Sequence, residues 1–317
     1  MSPRLWLLTT YMRLVTKRKL ARLSSPWAMR ADLERLAACL PAPPAEARFT
    51  RERIAVADED GPRSLEIEWC AWDRADRRRA VLYLHGGAFI CGSARTHRSL
   101  VWPLARASGA RIGVLDYRRA PEHKFPAAFR DALAAWRALT AERFAPDRMA
   151  VAGDSAGGGL AAALVAELDR IGAPPPACLV GFSGFFDLTL SGASLRRFAR
   201  RETLLPVARI PEAIETYLGG ADPADPRASP LFAPIKRPIP TLLQVGSTEA
   251  LRDDSLRYAE RLRAAGGDVR LEVWRGAPHA FAFFAPFIVE SAKAVETAGR
   301  FIRERQAAAA AGEPALA

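Results

Sequence analysis

From about residue 51 onward, short apolar, β-branched runs alternate with longer segments of helical periodicity. Short runs of this kind are typical of buried strands, and their alternation with helices is typical of a parallel sheet with crossover connections. The pattern therefore predicts an α/β fold with a mostly parallel, eight-stranded sheet flanked by helices. The predicted strands are Ile54–Ala57, Leu65–Trp72, Ala80–Leu84, Arg111–Tyr117, Met149–Gly153, Cys178–Phe182, Thr241–Gly246 and Val269–Trp274.

Two segments interrupt the alternation. Residues 1–48 have a helical pattern broken by prolines, and residues 188–230 hold a helix-like run followed by a Pro-rich loop. A long insertion within a compact domain is usually functional, often as a lid or cap. We expect an N-terminal helical cap segment (1–48), a core (49–187 and 231–308), a cap insertion (188–230) and a flexible tail (309–317). The predicted helices are Thr96–Ala107, Pro126–Ala141, Ala156–Ile171, Pro206–Leu218, Asp253–Ala265 and Phe287–Arg305.

The charge is strongly basic, with a formal value of +11 and a pI of about 10.1. Only five of the 46 basic residues are lysines, and the arginines are spread along the whole chain. Because they form no stripe, we expect no nucleic-acid partner. The local exception is Lys17-Arg18-Lys19, for which a solvated helix face is the favoured interpretation and contact with an anionic membrane is the alternative.

Cysteines and the N-terminus give further expectations. The four cysteines are scattered without the spacing of a metal site, so we expect no metal and no cofactor. Arg4 and Arg13 interrupt the apolar residues of Met1–Leu14, and no small-residue cleavage site follows. No uncharged apolar run reaches membrane-spanning length, which predicts a cytoplasmic protein without a stable membrane anchor.

The strongest chemical motif is Gly153-Asp154-Ser155-Ala156-Gly157, placed between a predicted strand and a predicted helix. A G-x-S-x-G sequence in this setting is the nucleophile elbow, in which a strained turn exposes a serine at the carboxyl end of the sheet. A phosphate-binding loop is the competing interpretation, and it fails because the chain has no G-x-x-x-x-G-K-[ST] sequence. The motif predicts Ser155 as a nucleophile.

A second motif, His85-Gly86-Gly87-Ala88-Phe89, follows the strand Ala80–Leu84. Glycines let neighbouring N–H groups point at one spot, as an oxyanion hole requires. We predict that the amides of Gly87, Ala88 and Ala156 form this hole, with Gly86 as a further candidate. His85 is expected to hold the loop.

The general base follows by elimination among four histidines. In a chain ordered nucleophile, acid, base, only His279 lies after Ser155, and it directly follows the last predicted strand. His123 is expected to shape a turn. The favoured acid is Glu249, because it emerges early from the strand Thr241–Gly246. Asp253 and Asp254 are expected to cap the helix that follows, and Asp187 is a distant alternative acid.

The chain resembles the bacterial hormone-sensitive-lipase-like esterases of the α/β-hydrolase superfamily. The resemblance rests on four motifs in order, at residues 85–89, 116–128, 153–158 and 278–281. It implies an α/β-hydrolase fold with a cap built from the N-terminal helices and an insertion after strand six. Two departures are Ala88 in place of the family's usual third glycine, and Glu249 where the family commonly has Asp. Glu249 fits a subgroup with monoterpene ε-lactone hydrolases and acetyl-hydrolases.

The residues and the resemblance together predict a serine carboxylesterase with a Ser-His-Glu triad, acting on short-to-medium acyl esters or lactones. An amidase or peptidase on the same fold, or a non-catalytic ligand-binding protein, are the alternatives. The expected partner is a small-molecule ester, and the resemblance adds a possible homodimer through the last strand and the helix 253–265. The aromatic candidates for the substrate pocket are Phe89, Phe185, Phe186 and Phe281.

Overall fold

A computed structural model describes residues 1–23 and 25–311. Eight strands form one sheet in the order β1-β2-β4-β3-β5-β6-β7-β8. Strand β2 pairs antiparallel with both of its neighbours, and all other pairs are parallel. This is the predicted mostly parallel sheet. The strands are β1 (Ala47–Asp58), β2 (Gly61–Trp72), β3 (Asp76–Leu84), β4 (Ala110–Asp116), β5 (Met149–Asp154), β6 (Leu179–Phe182), β7 (Thr241–Gly246) and β8 (Val269–Trp274).

The first two strands are longer than the sequence predicts. They pair along their whole length as a hairpin, from Ala47 opposite Trp72 to Asp58 opposite Gly61. Residues 47–53 of β1 include three arginines and a glutamate, and residues 61–64 of β2 are Gly-Pro-Arg-Ser, so hydrophobic periodicity does not mark these parts of the hairpin. The core therefore starts at Ala47, inside the predicted N-terminal segment.

Helices cover both faces of the sheet. The helices are α1 (Pro3–Tyr11), α2 (Lys17–Arg22), α3 (Pro26–Ala38), α4 (Arg98–Ser108), α5 (Ala127–Glu142), α6 (Ala156–Arg170), α7 (Ser194–Arg197), α8 (Ile210–Leu218), α9 (Arg252–Ala264) and α10 (Val289–Ala311). Helix α10 continues into the predicted flexible tail as far as Ala311. The rest of that tail, 312–317, lies outside the described residues.

The hydrophobic core has two layers, one on each side of the sheet. In β3, Leu82 and Leu84 pack with α5, α6 and α9, whereas Val81 and Tyr83 pack with α4 and α10. This alternation follows from the two-residue period of a strand, and a parallel sheet buried on both faces needs apolar residues at every position. Within the described ranges, no helix is both long and apolar enough to cross a membrane.

The N-terminal segment and the insertion contact each other above the carboxyl ends of the strands. A five-residue π-helical turn, Met12–Thr16, joins α1 to α2 without a break. The Lys17 ammonium donates to the carbonyls of Ala199 and Glu202 at 3.0 and 2.8 Å. Residues 1–48 and 188–230 are thus linked by direct hydrogen bonds.

Candidate active site

Ser155 lies in the tight turn between β5 and α6. Its φ is 51° and its ψ is −122°, a strained backbone conformation for a residue with a side chain. A Cβ on Gly157 would lie 2.0 Å from the carbonyl oxygen of Leu84, so only glycine lets α6 approach β3 here. The strand, turn and helix therefore form the elbow that the G-x-S-x-G sequence predicts.

Ser155, His279 and Glu249 are joined by a chain of hydrogen bonds. The Nε2 atom of His279 is 2.9 Å from Ser155 Oγ, and its Nδ1 atom is 2.9 Å from Glu249 Oε2. The three residues come from the ends of β5, β7 and β8, which meet at one edge of the sheet. The sequence predicted these three residues, and the structure brings them together in the order Ser155, His279, Glu249.

The surroundings of His279 favour the protonated imidazole, and burial of Glu249 opposes ionisation of that carboxyl. Burial opposes the charged form of His279, but the hydrogen bond and the negative charge of Glu249 outweigh it, so the pKa of His279 lies above its ordinary 6.5. Burial raises the pKa of Glu249, and the hydrogen bond from His279 counteracts part of that effect. The imidazole can accept a proton from Ser155 and be stabilised when charged.

The other carboxylates considered as acids lie elsewhere. Leu251 occupies the N-cap of α9, so neither Asp253 nor Asp254 caps that helix as the sequence suggested. Asp254 instead accepts the N–H groups of Phe186 and Asp187, both at 2.9 Å. Asp187 pairs with Arg257 at 2.8 Å. The sequence correctly placed Asp253 and Asp254 near the start of α9, but the partners of Asp254 come from the loop after β6.

The loop after β3 faces the elbow with two adjacent residues in left-handed backbone conformations, Ala88 (φ 53°) and Phe89 (φ 62°). The candidate donors Gly87, Ala88 and Ala156 form no hydrogen bond through their N–H groups to any described residue. Gly86 does not fit the predicted oxyanion hole. Its N–H donates to Asp154 Oδ1 at 3.0 Å and lies 3.1 Å from His97 Nε2, so it is already engaged.

Three buried residues that the sequence did not single out hold this loop. Asp154 Oδ1 also accepts the hydroxyl of Tyr83 at 2.8 Å, and His97 Nε2 lies 3.2 Å away. Asp154 stands inside the G-x-S-x-G motif, which could have drawn attention to it. Tyr83 and His97 carry no such signal, because their role depends on the sheet order that brings β3 beside β5.

His85 and His123 have the structural roles that the sequence predicts. The His85 ring stacks on Tyr117 with centroids 4.1 Å apart, and its Nδ1 atom is 2.8 Å from the Gly86 carbonyl. Burial lowers the pKa of His85 to about 3, so the ring is neutral. His123 is exposed, and its N–H donates to the Arg119 carbonyl at 3.0 Å in a turn.

The four phenylalanines proposed for the pocket divide into two groups. Phe186 stacks on Tyr258 at 4.6 Å, and Phe281 packs against Trp274; both phenylalanines are 0% exposed and belong to the core. The sequence could not exclude them because it does not show which way a loop side chain turns. Phe89 stacks on Tyr217 of α8 at 3.9 Å. Phe185 is 6% exposed, and its backbone N–H donates to the Ser155 carbonyl at the elbow.

Two further buried residues contact Glu249 or its loop. Ser183 donates its hydroxyl to Glu249 Oε1 at 2.8 Å. Glu202, from the insertion, is 1% exposed and accepts the N–H of Ala250 at 2.9 Å through Oε2. No sequence motif predicts a role for either residue, because both lie in segments without sequence periodicity. Together they fix the loop that carries the carboxylate.

Comparison with known proteins agrees with this architecture. A family model described as the alpha/beta hydrolase fold matches residues 81–283. An acetyl-hydrolase of Streptomyces hygroscopicus is 42% identical over 236 residues, covering 74% of this chain and 79% of that protein. An esterase of Acinetobacter venetianus is 33% identical over 278 residues, covering 87% of this chain and 88% of its own.

A solved structure gives the same result in three dimensions. The crystal structure of an esterase from the bacterial hormone-sensitive lipase family superposes with a TM-score of 0.88 and 37% identity, covering 96% of this chain and 99% of that one. The chain therefore belongs to the α/β-hydrolase fold family. Within it, the chain is a carboxylic ester hydrolase of the bacterial hormone-sensitive-lipase-like group.

Proposed function

We propose that this enzyme hydrolyses short-to-medium acyl esters or lactones with Ser155 as nucleophile, His279 as general base and Glu249 as the acid. The observation that carries the proposal is the continuous chain of two 2.9 Å contacts from Ser155 Oγ through the imidazole to Glu249. An imidazole held between a hydroxyl and a buried carboxylate is the arrangement that activates a serine for acyl transfer.

The reaction proceeds in two steps. His279 Nε2 takes the hydroxyl proton as Ser155 Oγ attacks the ester carbonyl, and the tetrahedral intermediate collapses by returning that proton to the departing alcohol. Water, deprotonated by His279, then attacks the acyl-serine. The bond from the acyl carbon to Ser155 Oγ breaks as His279 returns the proton to that oxygen, and the carboxylic acid is released. Glu249 keeps Nδ1 protonated and stabilises the imidazolium of each intermediate.

The oxyanion of both intermediates is assigned to the N–H groups of Gly87, Ala88 and Ala156. These groups flank Ser155 on the loop after β3 and at the start of α6, and they are not engaged by other described residues. One such donor is typically worth about 2.7–4 kcal/mol of transition-state stabilisation. Alanine at position 88 keeps its backbone N–H, so the departure from the family's glycine leaves the donor in place.

Short acyl groups are the proposed preference. The relatives include proteins named acetyl-hydrolase and, from Pseudomonas putida, ethyl acetate hydrolase, the latter 35% identical over 67% of this chain. Residues 1–46, which precede β1, and residues 188–230 are proposed to form the cap over the acyl site. Support comes from the stacking of Phe89, beside the proposed oxyanion donors, on Tyr217 of the insertion at 3.9 Å.

The test is hydrolysis of p-nitrophenyl esters from acetate to palmitate by the wild-type enzyme and by Ser155→Ala. We expect turnover of the short esters that is lost in the variant. Glu249→Gln should keep the fold and lower kcat by about 10²–10⁴-fold, since the amide holds the imidazole without stabilising its charge. Turnover that persists in Ser155→Ala would contradict the assignment of the nucleophile.

A further inference from the structure

The continuous helix from Pro3 to Arg22 exposes an apolar stripe. Its inner face, with Leu5, Thr9 and Met12, is buried against the protein. The opposite face consists largely of large apolar side chains that are 45–59% exposed: Trp6, Leu7, Tyr11, Leu14 and Val15. A helix on the surface of a globular protein normally presents polar residues to water, so a contiguous row of this kind marks a surface that binds something.

Basic side chains border this stripe. Residues 1–31 contain seven lysines and arginines and no acidic residue. Four of the arginines in that segment are exposed: Arg4, Arg13, Arg18 and Arg22. The bordering segment is cationic throughout, so whatever covers the apolar stripe is anionic at its rim.

A second group of arginines lies next to the helix. The insertion contributes a turn with four exposed arginines: Arg196, Arg197, Arg200 and Arg201. The Lys17 bond to the Ala199 carbonyl and the Arg13 bond to the Arg201 carbonyl fix this turn against the helix. We call the apolar stripe and this arginine turn the N-terminal surface.

We propose that the N-terminal surface docks reversibly on an anionic phospholipid bilayer. Aromatic and leucine side chains on a helix lying in the plane of the interface insert among the lipid acyl chains, while arginines at the rim bind lipid phosphates. A second copy of this chain would bring one set of arginines against another, since a twofold contact places like patches together. The charge pattern therefore favours lipid over self-association.

Docking in this orientation would bring the enzyme to water-insoluble esters. The helix is attached at one end to α10 by the Ser2 hydroxyl, which donates to Glu290 at 2.8 Å, and near its other end to the insertion that contacts the Glu249 loop. This consequence rests on the proposed function, because it assumes Ser155 as the nucleophile. Docking itself does not, and it is measured without turnover.

The experiment is co-sedimentation of the full-length enzyme with vesicles. We expect binding to vesicles of equal parts phosphatidylcholine and phosphatidylglycerol, much less binding to phosphatidylcholine alone, and release at high salt. Leu7→Ser combined with Leu14→Ser should weaken binding about tenfold or more. Arg196→Gln combined with Arg200→Gln should weaken it about tenfold at low salt.

Matched controls distinguish binding through the N-terminal surface from nonspecific hydrophobic or electrostatic binding elsewhere on the protein. Ile171→Ser with Phe232→Ser removes two other exposed apolar groups, and Arg77→Gln with Arg300→Gln removes two other exposed arginines. Both pairs should bind like the wild type, as should Ser155→Ala, and both control pairs should hydrolyse a water-soluble ester normally.

Three results would overturn the proposal. The first is no preference for anionic vesicles, and the second is equal loss of binding in the control pairs. The third is a dimer in lipid-free sedimentation velocity that dissociates in the Leu7/Leu14 variant, which would assign the surface to a second copy of the chain. Because Ser155→Ala is expected to bind vesicles, failure of the docking proposal and failure of the catalytic proposal are distinguishable.

Discussion

The carboxylate of Asp154 accepts the N–H of Gly86 at 3.0 Å, and so joins the residue before Ser155 to the loop after β3. The hydroxyl of Tyr83 donates to the same oxygen at 2.8 Å. These residues stand at the ends of the neighbouring strands β3 and β5. One buried carboxylate therefore sets the position of the loop that carries the proposed oxyanion donors relative to Ser155.

Asp154→Asn tests this link. The amide keeps an acceptor oxygen but loses the charge, and hydrogen bonds to charged groups contribute about 1.5–3 kcal/mol against about 0.5–1.5 for neutral ones. We expect the free energy of unfolding to fall by about 1–3 kcal/mol and kcat to fall as well. Urea unfolding and ester kinetics measure the two effects. Tyr83→Phe, which removes only one donor, should have the smaller effect, and an unchanged kcat in Asp154→Asn would show that the link does not position the loop.

Exchange of glycine and alanine should impair catalysis at position 87 but not at position 88. Gly87 has φ 120°, and a Cβ there would lie 2.2 Å from the Cys91 carbonyl oxygen, so Gly87→Ala must displace the loop. If one oxyanion donor is lost, kcat falls by about 10²–10³-fold. Ala88 already has φ 53°, which glycine adopts without strain, so Ala88→Gly should keep kcat/KM within about threefold of wild type. Equal losses in both variants would remove the distinction between these positions.

The sequence predicted most of the architecture because its signals are local. All eight predicted strands occur, since each central strand is a short apolar run, and the elbow follows from glycines that leave room for a close approach. Ser155, His279 and Glu249 could be selected because each follows a strand of a parallel sheet, whose carboxyl ends meet at one edge.

What the sequence did not predict depends on contacts between distant segments. Glu202 contacts Ala250 across 48 positions, and Tyr83 contacts Asp154 across 71, with no periodic pattern to reveal either pair. The hydrogen bond of the Gly86 N–H could not be predicted for the same reason, because the sequence does not show whether the N–H of a loop glycine is bonded. Burial of Phe186 and Phe281 depends on side-chain direction, which no motif encodes.

The pH dependence of catalysis should reflect the carboxylates around His279. In the proposed mechanism only the neutral imidazole accepts the Ser155 proton, so kcat/KM should rise with pH through the pKa of His279, which lies above its ordinary 6.5. Three negative charges favour the imidazolium: Glu249, Glu202 and Asp154. Glu202→Gln removes one of them and should move the acid limb of the kcat/KM profile to lower pH.

Asp253→Asn is the matched control for Glu202→Gln. Asp253 accepts the Ser194 N–H at 2.8 Å and is not among the three carboxylates that chiefly raise the pKa of His279. The acid limb of the kcat/KM profile of Asp253→Asn should coincide with that of the wild type. An unshifted acid limb in Glu202→Gln would mean that Glu202 only braces the loop.

The free energy of unfolding should depend on pH because Asp254 titrates differently in the folded and unfolded states. This carboxyl is 0% exposed, and burial, followed by the charge of Asp187, raises its pKa to about 8. In the unfolded chain an aspartate ionises near pH 4. Between about pH 4 and pH 8 the unfolded state therefore releases a proton that the folded state keeps, and the free energy of unfolding falls as pH rises.

Asp254→Asn removes that titration while keeping an oxygen that can accept the Phe186 and Asp187 N–H groups. The variant should gain stability relative to the wild type steadily from pH 5 to pH 8, and the difference should level off above about pH 8. Urea unfolding at pH 5, 7 and 9 measures the difference. Parallel curves for variant and wild type would show that Asp254 is already ionised in the folded enzyme, and that the two N–H groups of the loop after β6 stabilise its charge more than burial opposes it.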